Sequence, residues 1–249
     1  RMSKAKSGQW WVDQGQRRLA NNSVAYTEKP DFEAYLNEMR NLYESKAGER
    51  GLFSRIAAQK IAARNGRRDP DQDFGTNPCS EIILRSNEFC NLSEVVVRAD
   101  DTLETLKKKT RIATIIGTLQ ATLTDFRYLR VRWKRNTEEE ALLGVSLTGI
   151  MDHAVLGHES PQLEQWLNEM REVSIETNKE WAEKLGVAQS AAITCVKPSG
   201  TVSQLVDSAS GIHPRFSKHY IRRVRSDKKD PLALYMEKAG FPVEQDVMS

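Results

Sequence analysis

Apolar residues at helical spacing run through most of the chain. Phe32, Tyr35, Leu36, Met39, Leu42 and Tyr43 recur every three or four positions, which predicts an amphipathic helix over about 31–46. Ala57, Ala58, Ile61 and Ala62 predict a second helix over 53–64, stopping before Asn65-Gly66. Thr102 is placed to cap a long helix reaching about Phe126, with Leu103, Leu106, Ile112, Ile115, Leu119 and Leu123 turned inward. Thr137, with Glu140 three residues on, reads as a capping box that opens a helix toward Leu147. Ser160-Pro161 is the clearest start, a cap followed by proline at the first helical position. Leu163, Trp166, Leu167, Met170, Val173 and Trp181 follow at helical spacing, and Gly186 ends that helix. Runs of isoleucine and valine at 82–83 and 95–97 predict strands, as does 192–196, which leads to a short helix from Val202.

Strands alternating with long helices predict an α/β fold. No internal repeat, low-complexity tract or linker interrupts the pattern, so residues 1–249 read as a single domain. The composition, 39% hydrophobic and 29% charged, is that of an ordinary globular protein. No apolar run approaches the roughly 20 residues that span a bilayer, and no signal-peptide pattern opens the chain. Three cysteines, an odd number, do not suggest a disulfide framework, so a cytoplasmic, reducing setting is expected. The net charge of +3 is too small to argue for nucleic acid. The basic cluster Lys218 to Lys229 reads as a solvated strand-and-turn face.

Candidate chemistry gathers at Asn77-Pro78-Cys79-Ser80-Glu81, with Cys90 eleven residues beyond Cys79. In an extended stretch, side chains 77, 79 and 81 would share a face, setting an amide, a thiol and a carboxylate toward one substrate. Taken singly, free cysteines are as often small buried hydrophobes. A second candidate is Pro198-Ser199-Gly200-Thr201-Val202-Ser203, where amides at a helix start and three hydroxyls would cradle an anion. Gly200 would let a phosphate approach the main chain, although a plain helix cap explains the same run. His153 and His158 have no cysteine or carboxylate at zinc-ligand spacing, so packing is expected of them and no metal site is.

The run Phe74 to Ile82, followed by Asn87-Glu88-Phe89-Cys90-Asn91-Leu92-Ser93, resembles the catalytic chain of ribonucleotide reductases. The short spacing of Cys79 and Cys90 is similar to that of the adenosylcobalamin-dependent (class II) branch in its triphosphate-reducing form. The phrases Arg18 to Tyr26, Gly144-Val145-Ser146-Leu147-Thr148-Gly149-Ile150-Met151-Asp152 and Lys197 to Thr201 extend the resemblance along nearly the whole chain. It implies part of a ten-stranded α/β barrel with a catalytic-cysteine loop at its centre, in a fragment lacking the family's N-terminal and C-terminal parts. It further implies that Cys79 carries the thiyl radical and that Glu81 takes the 3′-hydroxyl proton. Asn77, with Ser80 beside it, would contact the substrate, Cys90 would supply one of two reducing thiols, and 198–203 would hold the phosphates. In the family the partner of Cys90 comes from the N-terminal half. Pairing with Cys195 is the alternative and needs α-carbons within about 7 Å; otherwise Cys195 is a small buried strand residue. Adenosylcobalamin, a ribonucleoside triphosphate, a deoxynucleotide effector and a thioredoxin-like or dithiol reductant are the implied partners, with no cobalamin-contact residue assignable. Two other readings stay open: the iron-dependent class, and a non-catalytic nucleotide-binding module.

Overall fold

The computed structural model of the chain describes residues 5–17, 20, 22–46 and 50–245. Arg18, Leu19 and Asn21, from one of the family-like phrases, lie outside the described residues. Parallel strands need long crossovers, usually helical, and the chain is built that way twice. In the first unit, after the short helix α1 (Trp10–Asp13), β1 (Ser23–Tyr26) pairs in parallel with β2 (Gly51–Ser54) through α2 (Phe32–Ser45). In the second, β5 (Asn91–Val96) pairs in parallel with β6 (Leu143–Thr148), and α4 (Leu103–Gln120) and α5 (Val131–Glu140) make the crossover. The long helix α6 (Pro161–Leu185) then returns the chain to 191–195 along the free edge of β6. There the Leu143 and Val145 amides donate to the carbonyls of Ala192 (3.0 Å) and Ile193 (2.8 Å), and the Cys195 amide donates to Val145 (3.0 Å).

Between the two units lie α3 (Arg55–Asn65) and an antiparallel hairpin of β3 (Gly75–Thr76) and β4 (Ile83–Leu84). Phe74, fully buried, packs there with Ala58, Ala62, Phe53 and Ile83. After 191–195 come α7 (Thr201–Leu205) and α8 (Pro231–Lys238). Residues 218–229 are exposed as expected, but they form irregular backbone rather than strand. Among the described residues no helix is long and apolar enough to cross a membrane.

Local chemistry sets the helix ends. The Asp31 carboxylate accepts from the Ala34 amide (2.7 Å), and Thr102 and Thr105 cap α4 reciprocally. Ser160 accepts from the Leu163 amide (3.1 Å), Pro161 occupies the first turn of α6, and Gly186 ends it at φ 68°. Residues 51–54, partly assigned to α3 by periodicity, form β2 instead.

Two expectations are corrected. Thr137 and Glu140 do not open a helix toward Leu147; they lie in the last turn of α5, and β6 follows. Tertiary partners claim both side chains: Thr137 Oγ1 accepts from the Phe89 amide (3.2 Å), and Glu140 binds Arg68. The run Leu143 to Thr148 is apolar because a parallel strand is covered on both faces. The second correction concerns α4. Leu106 is buried, but Ile112, Leu119 and Leu123 face outward. Its other buried residues are small: Thr110, Ala113, Thr114, Gly117 and Thr118, with Thr118 hydrogen-bonded to Asn178 of α6 (3.1 Å) and Gly117 set against Leu143 and Ser93 of the sheet. Small residues let the helix approach its neighbours closely; Thr114 and Thr118 donate four residues back (2.8 Å each), as does Ser174 (3.0 Å), while the buried Thr110 hydroxyl has no partner among the described residues.

Candidate active site

Asn77, Cys79, Ser80 and Glu81 share the turn that joins β3 to β4, so the stretch is not extended. The Ser80 amide donates to the Asn77 carbonyl (3.0 Å), and the Asn77 side-chain oxygen accepts from the Ile82 amide (3.0 Å). Asn77 thereby closes the turn with its oxygen and keeps its NH2 group as a donor. Ser80 takes φ 63°, a left-handed conformation unusual for a residue with a Cβ. Cys79 is exposed at the tip. The thiol, amide and carboxylate are therefore brought together by a tight turn rather than by alternation along a strand.

Beneath the hairpin, Ile82, Leu142 and Ala191 form a small buried cluster, and Leu84, Cys90, Leu92, Ala192 and Cys195 pack on it. Gly144 makes room for this packing. A Cβ there would collide with Leu92 Cδ2 and lie 3.0 Å from Ile82 Cδ1 and 3.1 Å from Cys195 Sγ. All three cysteines are free. Burial, then the charges of Glu81 and Glu88, raise the Cys90 thiol pKa. Burial, then the charges of Glu81 and Cys90, push Cys195 up to about 12. Both sulfurs are thus held as neutral thiols within reach of the Glu81 charge. Glu81 Oε2 is buried and has no hydrogen-bond partner among the described residues. A buried acceptor of that kind is costly unless something else donates to it.

The 198–203 run begins where the 191–195 segment ends. Pro198, Gly200, Thr201 and Val202 are exposed, while Ser199 and Ser203 are fully buried. Their hydroxyls are spent internally: Ser199 Oγ donates to Glu94 Oε2 (3.0 Å) and accepts from the Ser203 amide (3.2 Å), and Ser203 Oγ donates to the Ser199 carbonyl (2.8 Å). What remains open to an anion is the backbone at 200–202 and the Thr201 hydroxyl. At Gly200 an added Cβ would meet nothing within 4 Å, so neither packing nor a positive φ requires glycine there.

The Gly144 to Asp152 run supports this end of the sheet. Gly149 turns at φ 82°, where a Cβ would sit 2.7 Å from the Val97 carbonyl oxygen. Asp152 accepts from the Ala209 amide (2.8 Å) and pairs with Arg215 (3.0 Å), while Arg98 donates to the carbonyls of Val206 (2.7 Å) and Asp207 (2.9 Å). Burial opposes ionisation of Asp152, but the hydrogen bonds from Arg215 and Ala209 outweigh it and lower its pKa. His153 is a packing residue, its Nε2 2.9 Å from the Asp101 carbonyl oxygen and its ring against Trp166.

Several residues here escaped sequence reasoning. Glu94, Arg215, Arg68 and Arg85 were not singled out; Asp152 and Glu88 were read only as members of longer runs, and Glu140 only as part of a capping box. Arg68 makes paired hydrogen bonds to Glu140 (3.1 and 2.6 Å) and donates to the Ile83 carbonyl (3.0 Å). Arg85 binds Glu88 (3.1 Å) and the Asn136 carbonyl (2.7 Å). This group ties both ends of the 83–90 segment to α5. Arg68 lies 72 positions from Glu140 and Arg85 lies 51 from Asn136, beyond any local pattern, and only the Arg85–Glu88 contact is local.

No family model matches the chain. It is 30% identical over 265 residues to the adenosylcobalamin-dependent ribonucleoside-triphosphate reductase of Lacticaseibacillus paracasei, a match covering 93% of this chain and 34% of that protein. It is 29% identical to the Euglena gracilis enzyme of the same name, over 90% of this chain and 30% of that one. A crystal structure of a B12-dependent (class II) ribonucleotide reductase superposes on 97% of the chain with TM-score 0.69 at 23% identity, covering 38% of that protein. The chain therefore spans about a third of the length of the relatives it matches, and its helices and strands form part of an α/β barrel. By sequence over nine-tenths of its length and by fold together, the chain is similar to one part of the adenosylcobalamin-dependent ribonucleotide reductases.

Proposed function

We propose that this chain carries the thiyl-radical site of a cytoplasmic ribonucleoside-triphosphate reductase, folded as one domain with the hairpin at its centre. One observation supports it most: an exposed Cys79 stands on the same turn as Glu81, whose buried oxygen lacks a donor among the described residues and lies near two neutral thiols. A ribose above this turn would present its 3′-hydroxyl to Glu81, a carboxylate suited to take the proton. The Asn77 NH2 group, with Ser80 beside it, would bind the sugar hydroxyls. Cys79 would abstract the 3′-hydrogen as a thiyl radical, since S–H and C–H bonds are similar in strength. Loss of the 2′-hydroxyl as water then needs two electrons and two protons. Cys90 and a second thiol would supply them, ending as a disulfide.

Adenosylcobalamin, when bound, would supply the carbon-centred radical that takes the Cys79 hydrogen. The exposed backbone at 200–202 would receive the phosphates, with a deoxynucleotide effector and a dithiol reductant acting on the full-length protein. The test is anaerobic incubation with adenosylcobalamin, a dithiol and each ribonucleoside triphosphate, followed by chromatography of the nucleosides. Deoxynucleotide that appears without an iron-radical subunit is the expected outcome; formation only with such a subunit would favour the iron-dependent class.

A further inference from the structure

We infer that Glu94 is a positioning residue for the substrate phosphates, fixing Lys197 and Ser199 at the base of the 198–203 loop. This rests on reading that loop as the triphosphate site. Glu94 lies on β5, four residues beyond Cys90, and its side chain is 8% exposed. Its two oxygens are divided between two partners: Oε1 is 3.1 Å from Lys197 Nζ, and Oε2 accepts from Ser199 Oγ at 3.0 Å. Ser199 passes the constraint on, because its Oγ also accepts from the Ser203 amide and its carbonyl accepts from Ser203 Oγ. A continuous path therefore runs from the strand, through a carboxylate and a hydroxyl, into the first turn of α7. That path leads to the amides of Gly200, Thr201 and Val202, which precede the first intrahelical bonds.

Charge alone does not explain a buried carboxylate at this position, since it would repel a polyphosphate. Lys197 offsets that repulsion, so what Glu94 contributes is geometry. Ser146, in register opposite Glu94 on β6, is buried with a hydroxyl that has no partner among the described residues. A rearranged Glu94 would meet a polar group there rather than an apolar wall.

The test uses the full-length protein, with cytidine triphosphate as the probe, in equilibrium binding and in turnover. Glu94→Ala should weaken binding and raise KM by about tenfold, the scale of a lost hydrogen bond to a charged group, while kcat changes by less than about twofold. Glu94→Gln keeps an acceptor for Ser199 and should stay within about threefold of wild type. Ser199→Ala breaks the same bond from the other side and should match Glu94→Ala, which keeps the question open to test even if Glu94→Ala fails to fold. Wild-type affinity in Glu94→Ala or in Ser199→Ala would overturn the proposal. So would a collapse of kcat at unchanged affinity, which would put Glu94 in the chemistry. A wild-type protein that binds the triphosphate without reducing it would refute the activity proposed above, and the affinity ratios would still decide about Glu94.

Discussion

Serine in place of Cys79 would keep the size and exposure of the side chain but replace S–H with an O–H bond too strong to yield the working radical. Cys79→Ser should therefore form no deoxynucleotide while binding triphosphate as wild type does, and product at more than a trace would remove Cys79 from its role. Cys90→Ser should behave differently, because in the proposed reaction it removes a reductant rather than the radical. One equivalent of product per protein is compatible with it, whereas undiminished multiple turnover would count against the assignment. At Gly200 the structure sharpens the expectation, since a Cβ there points into open space. Gly200→Val should leave folding intact and weaken triphosphate binding by about 1–3 kcal/mol if a buried donor loses its partner; equal affinity by titration would sink the cradle. Among these residues, Asn77, Cys79, Glu81 and Cys90 were open to proposal from the sequence because they lie within fourteen positions of one another. Glu94 was not, because its partners Lys197 and Ser199 are more than a hundred residues away.

Elements with strong local signals were read correctly: α6 carries its cap, its N1 proline and its terminal glycine within its own sequence. β6 was missed because Thr137 and Glu140 imitate a capping box, although distant groups use both side chains. The inward face of α4 was misread for a related reason. Large apolar residues suggest burial, yet close approach to α6 and to the β5–β6 sheet selects threonine, alanine and glycine. The same demand for space applies at Gly144, where β6 passes under Ile82, Leu92 and Cys195. Gly144→Ala should destabilise the protein by about 1–3 kcal/mol through overpacking. Denaturant unfolding would measure this, and an unchanged midpoint would show that the cluster under the hairpin has slack.

At the scale of the whole molecule, the buried Arg68–Glu140 and Arg85–Glu88 group joins the hairpin to the second β-α-β unit. Burial pushes the Glu88 carboxyl up to about 7; Arg85 pulls the other way, and Glu140 adds to the rise. The folded protein then keeps a proton that the unfolded chain releases near the ordinary 4.5. This group's contribution should therefore fall as pH rises from about 4.5 to 7 and stay level above that. Glu88→Gln should flatten the slope in that window, and an unaltered stability–pH profile would exclude Glu88 as its source. The central claim, that Cys79 exchanges hydrogen with a cobalamin cofactor, has a more direct test. The full-length protein would be incubated anaerobically with adenosylcobalamin, a triphosphate effector and labelled water. The label should pass through the exchangeable Cys79 S–H into the cofactor's 5′-carbon, and should not do so in Cys79→Ser. A cofactor that stays unlabelled with the wild-type protein, or gains label equally with Cys79→Ser, would contradict the account.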